Sequence, residues 1–276
     1  MTETPAPRPL EPTHESGEPR LDALARLLAI VDRLRAPDGC PWDREQTVAS
    51  MAPSLIEEAH ELVEAIETES EAGTVEEAGD LLMVVFLICR IAEDEGRFDV
   101  SRAARAVGDK LIRRHPHVFG DAEVDGSEHV IANWERIKAE ERAEKKEDAS
   151  ALAGVPGAMP ALQRAHRVGA KAIAAGFRWE GPEGALAKVE EELGELREAF
   201  AAGDREAIEA ELGDLLMAAS FLGNYLKVDP ESATRASLRR FEARFRSMEA
   251  RLGDRVREAT LAEWMDAWRA AKAELS

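Results

Sequence analysis

The sequence repeats itself after 134 residues, and this repeat constrains the fold more than any local pattern does. Adding 134 to the numbers of one acidic set gives a second set with the same spacing: Glu57, Glu58, Glu61, Glu77 and Asp80 become Glu191, Glu192, Glu195, Glu211 and Asp214. The same shift carries the pentapeptide GDLLM from 79–83 to 213–217, and Trp134 to Trp268. The sequence therefore predicts a tandem duplication of one structural unit.

Both copies have the composition and periodicity of helical proteins. Alanine, leucine and glutamate recur, aromatic residues make up only 5 % of the chain, and no stretch alternates as a strand would. We expect an all-α fold of tandem-duplicated helical bundles. Prolines at the start and a glycine- and proline-rich segment in the middle complete the predicted organisation: a disordered tail at 1–20, a first unit at 21–144, a linker at 145–160 and a second unit at 161–276.

Charge and cysteine content narrow the classes of partner. With 55 acidic and 36 basic residues, the net charge of −19 argues against binding to nucleic acid polymers or anionic membranes. The longest apolar run, at 81–89, is too short to span a bilayer and predicts a buried helix. The two cysteines, Cys40 and Cys89, form no disulfide framework, which favours a reducing cytoplasmic setting.

The spacing of the acidic residues predicts a metal site. Positions three or four apart share a helix face, as do Glu57, Glu58 and Glu61 on one helix and Glu77 and Asp80 on the next. A short turn expected near 71–74 would bring the two helices together as an antiparallel pair. Bare carboxylates this close repel one another, so a divalent cation with oxygen ligands, most commonly Mg²⁺, is the predicted occupant. A solvated helix face is the alternative, but the pattern occurs twice, beside apolar helices.

A di-iron site is a second metal interpretation. Glu57 and His60 form an ExxH motif, which such sites require on two helices. The repeat places Gly194 where His60 stands, so we expect His60 to support the site or to lie in the core. We interpret His115 and His117 as loop residues that follow a helix.

Further motifs accompany the acidic residues in a fixed order. EExxE, fifteen residues and then ExxD occur in both copies, and the first copy adds GCPWDREQT, GDLLMVVF, DEGRFD, DKLIRRHPHVFG and WERIKAEER. In combination they resemble the MazG family of all-α nucleoside triphosphate pyrophosphohydrolases, over nearly everything from about residue 21 onward. The resemblance implies a homodimer that uses Mg²⁺, or Mn²⁺, to convert nucleoside triphosphates into monophosphate and pyrophosphate in nucleotide-pool house-cleaning. A non-catalytic dimeric nucleotide-binding or regulatory scaffold is the alternative.

The resemblance also implies roles for individual residues. The implied metal ligands are Glu192, Glu195, Glu211 and Asp214 in the second copy, and Glu58, Glu61, Glu77 and Asp80 in the first. The catalytic residues would be Glu191, Glu192 and Glu195, with Glu191 a candidate to take a proton from water. The residues expected to hold the phosphates and the nucleotide are Arg240, Arg244 and Trp268, with Lys110, Arg114 and Trp134 as their first-copy equivalents.

Each of these substrate-binding assignments has a plainer alternative. The basic pairs could be ordinary cationic helix faces, and the tryptophans could be core residues. The family's usual asparagine, two residues before the first basic residue of the pair, is replaced here by Gly108 and Leu238.

The two copies differ at one charged position. Lys188 lies three residues before Glu191 and four before Glu192, on the metal-binding face, where it could reach a triphosphate oxygen. Ser54 stands at the equivalent position of the first copy. We therefore expect the second unit to perform most of the hydrolysis, with the first weakly active, narrower in substrate or mainly structural. The alternative is that Lys188 pairs with the nearby glutamates.

Overall fold

The computed structural model describes residues 16–144, 148 and 150–275, and the chain divides into two compact units between Lys138 and Ala139. Every regular element in these residues is helical, which confirms the all-α prediction. The helices before the linker are α1 (Pro19–Arg35), α2 (Pro41–Glu45), α3 (Ala52–Glu67), α4 (Glu71–Asp94), α5 (Val100–Arg114), α6 (Pro116–Phe119) and α7 (Ser127–Glu144). Those after it are α8 (Ala161–Ala174), α9 (Gly181–Ala202), α10 (Arg205–Leu226), α11 (Pro230–Leu252) and α12 (Leu261–Glu274), with a 3₁₀ turn at Gly253–Arg255.

The predicted tail and linker fall partly outside the described residues. Residues 1–15 of the tail lie outside them, and Pro19 and Arg20 at its end already belong to α1. Residues 145–147 and 149 of the predicted linker also lie outside. The domain boundaries at 20/21, 144/145 and 160/161 therefore stay a prediction.

A helical hairpin of α3 and α4 positions the acidic residues of the first unit. The turn occupies Thr68–Ser70, so the turn expected near 71–74 was placed too late. The Ser70 hydroxyl accepts a hydrogen bond from the Gly73 backbone N–H at 3.1 Å, and this cap makes residues 71–74 the first turn of α4. With so short a connection, α3 and α4 pack antiparallel along their lengths.

The second unit repeats this hairpin with α9 and α10. Gly203 ends α9 in the left-handed region, with φ of 71°, where a side chain would be strained. Asp204 then caps α10 by accepting hydrogen bonds from the backbone N–H groups of Glu206 and Ala207. The two hairpins therefore use different turn residues to reach the same arrangement.

Each unit packs its hairpin against further helices. In the first, Val31 of α1 joins Met51, Val84, Leu87 and Ile91 in a buried cluster. In the second, α8 packs on α10, while α11 packs on α12 around a separate cluster. The acidic residues lie on hairpins that these helices hold in place.

The apolar run at 81–89 lies in α4 and is buried on one face only. Val84 and Leu87 are 1 % exposed, whereas Leu82 and Val85 are 43 % and 39 % exposed. The prediction of a buried helix is right for one face and wrong for the other. Within the described ranges, no helix is both long and apolar enough to cross a membrane.

Candidate functional site

Three carboxylates converge between α3 and α4. We call Glu58, Glu77 and Asp80 the first acidic group, because each offers an oxygen within 4.8 Å of the others. Glu58 comes from α3, and Glu77 and Asp80 come from one face of α4. Folding the hairpin therefore concentrates negative charge at one place.

Burial and neighbouring charges raise the pKa values of two carboxylates in the first acidic group, Glu58 and Glu77. Burial raises the pKa of Glu58 above its ordinary value, and repulsion from Asp80 adds to the shift. The pKa of Glu77 is raised by burial and then by the nearby charge of Glu61. Glu61 is thus close enough to act on both pKa values, although its oxygens do not join the group within 4.8 Å.

The second unit holds a similar group, which has two of its three positions in common with the first under the 134-residue shift. We call Glu192, Glu195 and Glu211 the second acidic group, since their oxygens also lie within 4.8 Å of one another. The Glu192 side chain is only 7 % exposed. Burial raises the pKa of Glu195, and repulsion from Glu192 and Glu211 raises it further. Asp214 lies three residues after Glu211 on the same face of α10, but its oxygens do not join this group. Its role as a metal ligand therefore stays a prediction.

Lys188 neutralises part of the second acidic group. Its Nζ lies 2.8 Å from Oε1 of Glu191 and 2.7 Å from Oε1 of Glu192. The hydrogen bonds to Glu191 and then Glu192 raise the pKa of Lys188 well above its ordinary value. In this structure the ammonium therefore pairs with the neighbouring glutamates, the alternative that the sequence left open. Ser54 offers no such charge to the first acidic group.

The predicted basic and aromatic residues meet in pairs. The Arg244 guanidinium lies over the Trp268 ring, 5.7 Å from its centroid, and Arg114 lies over Trp134 at 5.6 Å. Arg240 is exposed on α11, and Lys110 is half-buried on α5. Both tryptophans are half-buried, and Trp268 also packs against the buried cluster of α11 and α12. It therefore combines core packing with an arginine contact.

An aromatic cluster that the sequence did not predict surrounds Trp268. Phe241 and Phe245 of α11 lie against Trp264 and Trp268 of α12, with Phe245 and Trp264 stacked at 5.4 Å between centroids. The signal was available, because each pair is four residues apart and so shares a helix face. In the first unit, His115 meets Trp134 edge-on at 4.7 Å.

The histidines occupy positions that differ from the expectations in part. His60 is exposed, so it is not a core residue. His115 ends α5, as a residue following a helix should, whereas His117 belongs to the short helix α6 rather than to a loop.

Both acidic groups fit a hard divalent cation. They offer only carboxylate oxygens, which Mg²⁺ and Mn²⁺ prefer. Burial, and then repulsion from neighbouring carboxylates, raises the pKa values of Glu58, Glu77 and Glu195, and a cation would relieve that repulsion.

Comparisons with known proteins identify a matching family model and similar curated proteins. Residues 46–119 and 180–248 match the model of the MazG nucleotide pyrophosphohydrolase domain. A nucleoside triphosphate pyrophosphohydrolase/pyrophosphatase MazG of Thermotoga maritima is 44 % identical over 223 residues, covering 81 % of this chain and 84 % of that protein. A nucleoside triphosphate pyrophosphohydrolase of Escherichia coli is 41 % identical over 245 residues, covering 87 % of this chain and 92 % of its own length. The segment at 46–119 contains the first acidic group, and the segment at 180–248 contains the second.

Proposed function

Because this chain belongs to the MazG nucleotide pyrophosphohydrolase family, we propose that it hydrolyses nucleoside triphosphates to nucleoside monophosphates and pyrophosphate. The observation that carries the proposal is the pair of acidic groups, each built from a helical hairpin and each fit for a divalent cation. Mg²⁺ is the proposed cofactor and Mn²⁺ a substitute. The role would be house-cleaning of the nucleotide pool in the cytoplasm.

The proposed ligands come from both hairpins. They are Glu192, Glu195, Glu211 and Asp214 in the second unit, and Glu58, Glu61, Glu77 and Asp80 in the first. Bound there, Mg²⁺ would supply neutralisation of the phosphate charge and a more acidic water. Glu191 is 57 % exposed beside the second acidic group, where it can accept the proton that the attacking water loses.

Basic residues would hold the leaving pyrophosphate. Arg244 is the best supported, because its Nε is buried and finds no hydrogen-bond acceptor among the described residues. A phosphate oxygen would satisfy that N–H and the rest of the guanidinium fork. Arg240 lies four residues earlier on α11, and Lys110 and Arg114 have the same spacing on α5. Trp268 and Trp134, each under an arginine, would contact the nucleotide.

We also propose that the protein is a homodimer. An apolar groove of about 430 Å³ runs between α8 and α10, and Leu216 and Met217 on its wall are 50 % and 46 % exposed. Leu82 and Val85 expose a comparable face on α4. Covering such faces would stabilise the folded chain by removing apolar surface from water. Light scattering after size-exclusion chromatography should give twice the chain mass of 30.3 kDa, and a strict monomer at micromolar concentration would contradict the proposal.

The activity is tested by identifying products. The full chain should convert dTTP or ATP into monophosphate and pyrophosphate in equal amounts with Mg²⁺, and EDTA should abolish the reaction. Diphosphate plus inorganic phosphate would indicate another hydrolase. No turnover across a panel of triphosphates would favour the non-catalytic scaffold.

A further inference from the structure

The ion pair at Lys188 joins an ammonium to a buried carboxylate at a proposed metal site. Nζ lies 2.7 Å from Oε1 of Glu192, whose side chain is 7 % exposed, and 2.8 Å from Oε1 of the more exposed Glu191. A buried charge is costly unless a partner compensates it. Lys188 provides that compensation within the chain, before any metal arrives.

An ammonium and a metal ion compete for such a carboxylate. Both are attracted to the same buried oxygens, and both carry positive charge, so they repel each other when they approach Glu192 together. The lysine side chain is long and has three rotatable donors, and it is 29 % exposed, so it can leave the carboxylate for solvent or for a phosphate.

We propose that Lys188 is an exchangeable counter-ion, which stabilises Glu192 in the metal-free protein and is displaced when the divalent cation binds. This inference rests on the proposed function, because it takes the second acidic group as the metal site. Displacement releases the ammonium beside the site, where a triphosphate oxygen becomes its next partner. Metal binding thereby frees the Lys188 ammonium to bind the triphosphate.

The first unit lacks this device. Ser54 stands on α3 at the position equivalent to Lys188, with Glu57 and Glu58 three and four residues later. Among the residues that the structure describes, no lysine pairs with Glu58, so the first acidic group should bind metal without that competition. Without metal, it should also be the less stable of the two groups.

The first test measures metal affinity without nucleotide. In a chain whose first acidic group is silenced by Glu58→Gln and Glu77→Gln, Lys188→Met removes the ammonium but keeps an unbranched side chain of similar length. Calorimetric titration with Mn²⁺ should show binding about three- to tenfold tighter than with Lys188 present, because no ammonium then has to be displaced from Glu192.

The same variant should lose stability when metal is removed. In EDTA, Lys188→Met should unfold a few degrees below its parent, because Glu192 is left buried without a counter-charge. Saturating Mg²⁺ should restore the unfolding temperature to the parent value. Opposite effects on metal affinity and on metal-free stability distinguish an exchangeable counter-ion from a structural ion pair, which would change stability alone.

A matched control comes from an ordinary ion pair. Lys138 Nζ lies 2.8 Å from Oε1 of Glu135, which is three residues earlier on α7. The Lys138 side chain is 20 % exposed. Lys138→Met should leave Mn²⁺ affinity unchanged, with and without Lys188→Met.

The reciprocal variant places a lysine counter-ion beside Glu58 in the first unit. With the second acidic group silenced by Glu192→Gln and Glu211→Gln, Ser54→Lys should weaken Mn²⁺ binding about three- to tenfold and raise the unfolding temperature in EDTA. This arm keeps the inference testable even if Lys188→Met does not fold.

Unchanged or weaker Mn²⁺ binding by Lys188→Met, or unchanged binding by Ser54→Lys, would overturn the inference. Failure of the proposed function gives a different result, because the unsubstituted chain would then bind no Mn²⁺ or release no pyrophosphate. A chain that binds metal and hydrolyses triphosphate while Lys188 leaves affinity unaltered retains its function and refutes only the exchange.

Discussion

Two glutamates of the second acidic group, less than one helical turn apart on α9, differ in surroundings. Glu192 is buried and has an ammonium partner at 2.7 Å. Glu195 is exposed as a residue, but partial desolvation of its carboxyl, followed by the charges of Glu192 and Glu211, raises its pKa. A cation at this group would stabilise the charged form of Glu195, and removing the Glu195 charge would relieve its repulsion with Glu192 and Glu211.

Replacing Glu195 should separate activity from stability. In a chain that also carries Glu58→Gln, Glu195→Gln should lower pyrophosphate release on the order of 100-fold, because a ligand charge is lost at little change in volume. The unfolding temperature in EDTA should rise, since repulsion is relieved. Glu198→Gln, an exposed change on the same helix, should alter neither quantity. Full activity of the Glu195 variant would contradict its assignment as a ligand.

Arg244 offers a second test at a single side chain. Its buried Nε has no acceptor among the described residues, and lysine lacks that N–H. Arg244→Lys should raise KM for a triphosphate about tenfold, the effect of losing one charge-assisted hydrogen bond. Arg246→Lys is the control, because Arg246 is 75 % exposed on the same helix and pairs with Glu242 at 3.7 Å. Equal KM values for the two variants would argue against phosphate binding by Arg244.

The sequence predicts which residues share a helix face better than it predicts which side chains touch. The repeat identified the acidic residues as a candidate site, because the same set occurs twice. Helical spacing alone then places Glu77 and Asp80 on one face. It could not decide whether Lys188 turns toward Glu192 or toward solvent, because both orientations are open to a long side chain on that face. The arginine–tryptophan contact at Trp268 depends on the packing of α11 against α12, which spacing within either helix does not reveal.

Helix α12, which carries Trp268, depends on a capping box at its start. The Thr260 hydroxyl accepts from the Glu263 backbone N–H, and the Glu263 carboxylate accepts from the Thr260 backbone N–H at 2.8 Å. That backbone hydrogen bond, together with Arg255 and the Thr260 hydroxyl, lowers the pKa of Glu263 from 4.5 to about 2. The cap is therefore a charged element of the fold.

The cap should make stability depend on acid pH. A carboxyl whose pKa is lowered by folding contributes stability that is complete above its unfolded pKa of 4.5 and is lost as pH falls toward about 2. Glu263→Gln should thus unfold at a lower temperature than the parent at pH 7, and the gap should shrink between pH 4.5 and pH 2. Thermal unfolding followed by circular dichroism across this range checks it, and a gap that widens in acid would contradict the role of the charge.

Elements were predicted correctly in type and less well at their ends. The apolar periodicity identified α4, but the turn predicted at 71–74 belongs to the helix, because Ser70 caps α4 and starts it at Glu71. Exposure of Leu82 and Val85 could not be foreseen either. An uninterrupted apolar run does not say which face packs within the unit and which is left for another surface.

The whole molecule consists of two copies of one unit, and each copy has an acidic group of its own. The residues around the two groups have diverged. Each copy builds that group from a helical hairpin, as the repeat predicted. The second has an internal ammonium at Lys188 and an aromatic cluster of Phe241, Phe245, Trp264 and Trp268. The first has Ser54 and a smaller contact between His115 and Trp134. Charge and stacking surface for a nucleotide are thus richer in the second.

We therefore expect the second unit to perform most of the hydrolysis in the full-length chain. Glu192→Gln with Glu211→Gln should remove most pyrophosphate release, whereas Glu58→Gln with Glu77→Gln should leave most of it. Both double variants remove two carboxylate charges from corresponding positions of the two hairpins, and thermal unfolding in EDTA checks that each still folds. The assay should use several triphosphates, because a first unit with narrower substrate choice would otherwise go unseen. Equal losses from the two variants, or a loss confined to the first acidic group, would show that Lys188 and the aromatic cluster do not set the division of activity.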